Sequence, residues 1–289
     1  MPNYLKSISL LFVFFLNLSC KKTEEKIITP DPDVVVTPPK PDVYEISDKI
    51  KWADEFDAPG SPNSDFWGYD LGGGGWGNNE KQVYTKDPEN VIIKDGNLNI
   101  IANYSKDWPN YTSTRLISKS KKDFLYGKLE VRAKLPKGKG TWPAIWTLAS
   151  QTEYGGNFWP DNGELDIMEH VGYDQDRIHN NIHTRAFHHS IGTNKGNSKS
   201  VADVSNKFHT YTLEWLPNII TFYIDGEKNF EFKREAYYTW REWPFDKPQH
   251  LLLNIAVGGN WGGAQGIDDT IFPQKMEIDY VRYYEAVKK

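Results

Sequence analysis

The chain has 289 residues, 38% of them hydrophobic and 25% charged, with a single cysteine and a formal net charge of -5. That length allows one large domain or two modest ones. The acidic balance excludes a nucleic-acid partner, which needs a concentrated basic face; the longest basic cluster, Lys119 to Lys122, is short and reads as a solvated turn.

At the N-terminus, Lys6 precedes an apolar run from Ile8 to Leu16, and Leu18-Ser19-Cys20 follows. A positive start, a short apolar stretch and a small residue before a cut describe a secretory signal, assigned to residues 1–19. The run is too short for a stable membrane span. Leu18-Ser19-Cys20 resembles a bacterial lipobox, except that Asn17 stands where an aliphatic residue is usual. By that resemblance Cys20 is the acylated first residue of the mature protein, and the expected location is the outer membrane, on its periplasmic or cell-surface side. The plainer alternative is an incidental thiol in a discarded peptide. Residues 20–45 read as a linker: Pro30, Pro32, Pro38, Pro39 and Pro41 favour extended, semi-rigid chain.

From Ile46 to the end the pattern is β. Asp95-Gly96 marks a hairpin turn between Val91–Ile93 and Leu98–Ile101, and Asp225-Gly226 another between Ile219–Ile224 and Lys228–Phe232. Lys128 to Leu135 and Thr210 to Trp215 alternate polar with apolar residues. Leu251–Val257 and Met276–Tyr284 are further β-rich runs; only Arg234–Trp240 suggests a helical turn or two. Many short strands in about 240 residues predict one all-β sandwich or barrel over residues 46–289. Gly72–Gly75 lacks the Gly-Lys-Ser/Thr ending of a phosphate loop and reads as a surface loop. The load of 11 Trp and 16 Tyr serves either a large core or sugar stacking, because these rings are apolar on the face and polar at the edge.

The segment Gly163-Glu164-Leu165-Asp166-Ile167-Met168-Glu169 carries the chemistry. Strand side chains alternate, so Glu164 and Asp166 share a face while Leu165 and Ile167 point the other way. Glu169 falls on the wrong face of a flat strand. One extra residue at Ile167-Met168, taken up as a β-bulge, restores it. Three acids on one face repel one another. The bland reading is a solvated edge, but the interleaved apolar residues and the flanking Trp142, Trp146 and Trp159 favour a cleft floor. Two carboxyl groups flanking a bond suit glycoside cleavage, and a third acid spreads their pKa values.

Glu164-Leu165-Asp166-Ile167-Met168-Glu169 resembles the E-x-D-x-x-E signature of glycoside hydrolase family 16, in its laminarinase form. The lichenase form lacks the extra residue. Trp52–Asp57, Gly75–Glu80, Gly140–Trp146, Asn254–Trp261 and Met276–Val281 add to the likeness. The resemblance implies a concanavalin-like β-jelly-roll of two curved antiparallel sheets with a groove on the concave face. It implies retaining, endo-acting hydrolysis of β-1,3-glucan, with Glu164 as nucleophile, Asp166 as its electrostatic partner and Glu169 as acid/base. Trp142, Trp146 and Trp261 are expected to stack sugar rings, with Trp76 and Asn78 on the groove wall. His183 is expected to tune Glu169 or bind sugar. Arg115 donates to a sugar hydroxyl or pairs with an acid; the two readings stand level. His179 and His183 have helix-type zinc spacing, but their context is a strand. No cofactor is expected for catalysis. A structural calcium is expected on Asp279, with backbone carbonyls of Glu55 and Gly96. The expected protein is a monomer whose partners are the polysaccharide and, through its lipid, the membrane. Mixed-linkage glucan, a marine galactan, transglycosylation and a non-catalytic lectin remain as alternatives.

Overall fold

The structure, a computed structural model, describes residues 42–289. The assigned signal, Cys20 and all but the last four residues of the assigned linker lie outside the described residues. The described residues form seventeen strands. The first seven are β1 (Tyr44–Asp54), β2 (Gly68–Asp70), β3 (Val83–Tyr84), β4 (Val91–Lys94), β5 (Asn97–Tyr104), β6 (Tyr111–Ser113) and β7 (Arg115–Ile117). Next come β8 (Gly127–Lys134), β9 (Thr141–Ala149), β10 (Glu164–Glu169), β11 (Arg177–His183) and β12 (Lys195–Ser200). The last are β13 (His209–Leu216), β14 (Ile219–Ile224), β15 (Glu227–Lys233), β16 (Gln249–Val257) and β17 (Gln274–Lys288).

One sheet has ten strands in the order β15-β14-β13-β8-β17-β5-β6-β3, with β1 on β17 and β4 on β5. The other has seven, β12-β11-β10-β9-β16-β7-β2. Neighbours distant in sequence, such as β8 with β17 and β9 with β16, weave the jelly-roll sandwich. All pairings are antiparallel except the short β3–β6 pair.

Alternation explains the layering. On β8, Leu129, Val131 and Ala133 are buried while Lys128, Glu130, Arg132 and Lys134 stay partly exposed. Leu213 and Trp215 of β13, Phe222 of β14 and Ile278 and Val281 of β17 join them in one core with Ile145, Leu165, Ile167 and Leu253 of the facing sheet. Each such side chain contributes about 1.5–3 kcal/mol on full burial. Both predicted hairpin turns form: Asp95 and Gly96 have φ of 55° and 71°, Asp225 and Gly226 of 52° and 77°. Two successive left-handed residues are what a type I′ turn demands.

Two expectations change. Strand pairing begins at Tyr44, opposite Lys288, so the last residues of the assigned linker belong to the sheet. Arg234–Trp240 is not helical; among the described residues helix is confined to 3₁₀ turns at His189–Ile191 and Asp269–Ile271. Tyr238 instead packs on Phe187 and Phe232, and tertiary contacts override the weak local pattern.

Candidate active site

The site grows from three adjacent strands of the seven-stranded sheet. On β9, Trp142, Ala144, Trp146 and Leu148 face a groove of about 470 Å³, while Ile145 enters the core. On β16, His250, Asn254 and Ala256 face the groove, and Leu251, Leu253, Ile255 and Val257 enter the core. On β10, Glu164, Asp166 and Glu169 face the groove, and Leu165, Ile167 and Met168 enter the core.

The last set contains the predicted irregularity. Asp166 lies opposite Trp146, but the next paired residue is Met168, opposite Ile145, so Ile167 is extra. Against β11 the register likewise jumps from Asp166–Asn181 to Glu169–His179. The bulge forfeits roughly one ladder hydrogen bond, a net 0.5–1.5 kcal/mol. It buries both Ile167 and Met168, each contributing about 1.5–3 kcal/mol. The freed Ile167 carbonyl also finds a donor: the buried Asn180 amide reaches it at 2.6 Å, and Asn229 holds the Asn180 oxygen at 2.6 Å. Burial therefore outweighs the broken ladder, and Glu169 returns to the groove.

Glu164 and Glu169 each have their own donors. Trp159 Nε1 donates to Glu164 at 2.9 Å. Trp142 Nε1 and Asn181 Nδ2 each donate to Glu169 at 3.1 Å, one to each oxygen. His183 Nε2 lies 3.2 Å from Asp166 and 3.7 Å from Glu164, so it sits beside those two rather than on Glu169. Burial pushes the carboxyls of Glu164 and Asp166 well above the usual range; the neighbouring Asp166 adds to the first and Glu169 to the second. Burial raises Glu169 as well, against the nearby His183 and the two donors. Three charges on this face are too costly at neutral pH, so the group retains protons, and its titration belongs to the three together.

The remaining predicted residues divide. Trp142, Trp146, Trp76 and Asn78 line the groove. Arg115 does too, and there it pairs with Asp70 at 3.2 Å while its guanidinium lies 4.9 Å and 4.7 Å from the Trp76 and Trp146 rings. Both readings of Arg115 are thus compatible with its position. Trp261 packs edge-on to the groove-lining Trp142 at 5.5 Å and to His179 at 4.9 Å. Trp146 is steadied by Asn254, which accepts its Nε1–H at 2.7 Å. His179 and His183 share the groove face of a strand, not of a helix. Among the described residues the one metal-type cluster is Glu164, Asp166 and His183, which are the groove acids and their neighbour.

The residues named for a structural calcium lie on β17 and beside β1 and β5. Strand register brings the three named residues to one neighbourhood, with Asp54 opposite Val281 and Leu98 opposite Ile278. But Arg132 holds the Asp279 carboxylate, and Arg282 holds that of Glu55 through two 2.8 Å hydrogen bonds. A calcium bound at Asp279 would compete with the Arg132 guanidinium for that carboxylate.

Sequence reasoning gave no site role to Asn181, Phe158 or His189, used Trp159 only as a flanking ring and Glu80 only within a matching stretch, and read Lys119 as part of a solvated turn, whereas it lines the groove. Asn181 had a signal: period two puts it on the face of His179 and His183. Lys119, on the groove wall over Phe158 at 5.5 Å, had none, because it follows β7, whose partner β16 lies more than 100 residues further along the chain.

Comparison with known proteins agrees with this geometry. The family model described as "Glycosyl hydrolases family 16" matches residues 78–282. A beta-glucanase of Rhodothermus marinus is 46% identical over 246 residues, covering 83% of this chain and 86% of that protein. The X-ray structure of the laminarinase from Rhodothermus marinus superposes with a TM-score of 0.81 at 44% identity, covering 86% of this chain and all (100%) of that one. A keratan-sulfate endo-1,4-beta-galactosidase of Sphingobacterium multivorum is 35% identical over 82% of this chain and 55% of its own length. A β-sandwich with three acids gathered by a bulge, a matching family model and relatives of this similarity together establish that the chain belongs to glycosyl hydrolase family 16.

Proposed function

We propose that the protein is a retaining endo-β-1,3-glucanase. The observation that supports it most is the shared groove face of Glu164, Asp166 and Glu169, brought about by the Ile167 bulge. In the first step the Glu164 carboxylate attacks the anomeric carbon and forms a glycosyl ester, while Glu169 gives its proton to the departing glycosidic oxygen. In the second, Glu169 takes a proton from water, the water oxygen bonds the anomeric carbon, and Glu164 is released. Asp166 beside Glu164 opposes a second charge there, while the Trp159 N–H favours the carboxylate form of Glu164. These steps need two carboxyls and water, and no cofactor.

The substrate reading draws on the names of the relatives and on a groove walled by Trp76, Trp142 and Trp146. The extra strand residue supports the 1,3-linked choice. Reducing-sugar release from laminarin, lichenan, agarose and carrageenan tests it; activity confined to a galactan removes it, and a time course of products separates hydrolysis from transglycosylation. The galactosidase relative and the two cations on the groove wall, Arg115 and Lys119, make the galactan arm a necessary one. A calcium bound by Asp279 with the carbonyls of Glu55 and Gly96 is tested by EDTA dialysis and calcium titration: a rise in Tm on calcium upholds it, and an unchanged Tm removes it. The Leu18-Ser19-Cys20 resemblance supports a lipid tether at Cys20 to the outer membrane. Fatty-acid labelling lost in Cys20→Ser, and protease shaving of intact cells, test the anchor and its side.

A further inference from the structure

A second groove, of about 670 Å³, lies over the β5–β6 connection and includes Glu89, Asn103, Tyr104, Asp107, Trp108 and Pro109. None of these lines the catalytic groove. Trp108 is 83% exposed, more than any other large hydrophobic side chain among the described residues. An indole in that position forgoes the roughly 1.5–3 kcal/mol that burial would bring, so a folding role does not account for it.

The loop that carries it is held together. Ser105 N donates to the Asn110 carbonyl at 2.8 Å, Asp107 N to Ser105 Oγ at 3.1 Å, and Asn110 Nδ2 to the Ser105 carbonyl at 3.2 Å. Around the indole, acceptors stand free. The carboxylates of Glu89 and Asp107 make no hydrogen bond or ion pair within the described residues, and Asn103 spends its amide N–H on the Glu89 carbonyl, leaving its oxygen. No lysine or arginine lines the groove. An apolar plate beside uncommitted acceptors, without cations, fits an uncharged polyhydroxyl chain: C–H faces lie on the ring and hydroxyls donate to the oxygens. The two grooves are one strand apart. Thr112 of this groove pairs with Val83, and the next residue, Tyr84, lines the catalytic groove; paired strands are about 4.8 Å apart.

We propose that Trp108 centres an accessory binding site for a neutral β-glucan chain, which holds polymer on the surface while the catalytic groove cuts it. This rests on the glucanase reading above. A second contact with the same chain raises affinity for polymer without altering the chemistry on a short substrate.

The test is affinity electrophoresis in gels containing laminarin, in a Glu164→Gln background so that the polymer is not cut. Trp108→Ala is compared with its parent and with Trp108→Phe. In parallel, kcat/KM on laminaritetraose is measured for active protein with and without Trp108→Ala. The expected result is retardation weakened about five- to tenfold by alanine, the worth of one aromatic contact, largely kept by phenylalanine, with tetrasaccharide kinetics unchanged. Equal retardation of the alanine variant, or an equal loss on the tetrasaccharide, overturns the proposal. Failure of the glucanase reading shows itself separately, as an active parent that does not cut laminarin; the same comparison in the polymer it does cut then decides the Trp108 site.

Discussion

Replacing Trp142 by phenylalanine separates the roles of the two glutamates. The ring stays on the groove wall, but the Nε1–H that reaches Glu169 at 3.1 Å is lost. A hydrogen bond to a charged acceptor is worth about 1.5–3 kcal/mol. Asn181 still serves the other oxygen at 3.1 Å, and groove water replaces part of the lost donor. About 1 kcal/mol of carboxylate stabilisation then disappears, equivalent to roughly 0.7 pKa unit. The lost donor favoured only the ionised form, so the pKa of Glu169 rises, and the acid keeps its proton to higher pH. The alkaline limb of the kcat/KM profile on laminarin is expected to move up by about half to one unit. The acid limb, set by ionisation of Glu164, stays in place. An alkaline limb that is unmoved, or that moves down, refutes the assignment of Glu169 as the acid.

The same reasoning applied to Trp159→Phe, which removes the 2.9 Å donor to Glu164, moves the acid limb up instead; because the limbs belong to a coupled trio, the contrast between the two variants is the diagnostic reading. Glu164→Gln is expected to lower kcat on the order of 10⁴-fold or more while raising Tm by about 2–4 °C, since one of three repelling buried carboxyls is gone. That stability gain has a pH signature. A carboxyl whose folded-state pKa is raised costs stability as pH rises from its unfolded value, about 4.3, towards the raised one. The Tm difference between variant and parent should therefore vanish below about pH 4 and grow above it; a constant difference across pH 3–8 would show that charge is not its cause. Asn180→Ala strips the Ile167 carbonyl of its partner at the bulge. It should cost about 1–3 kcal/mol in thermal unfolding and lower kcat as well as Tm; lost stability with full activity would mean that the bulge holds Glu169 without Asn180.

Much of the fold was written in local pattern. Period-two alternation marked β8 and β13, and Asp-Gly pairs marked two hairpins, because strand faces and left-handed turns are properties of a few consecutive residues. The bulge was legible for the same reason: three acids at 164, 166 and 169 cannot share a strand face without one extra residue. Local pattern was silent on the short strands β2, β3, β6 and β7, which two or three residues cannot announce. It also did not reveal that Arg132 stands against Asp279, the residue it offered as a cation ligand.

The sequence by itself determined the chemistry: which carboxyls meet, and that a kinked strand must carry them. Only the tertiary structure decided their surroundings. Trp159 on Glu164, Trp142 and Asn181 on Glu169 and His183 on Asp166 come from separate segments of the chain. So do the Arg115–Asp70 pair and the free indole of Trp108. Alternation is set within one strand, whereas the donors, charges and burial that tune an acid are set by which strands become neighbours.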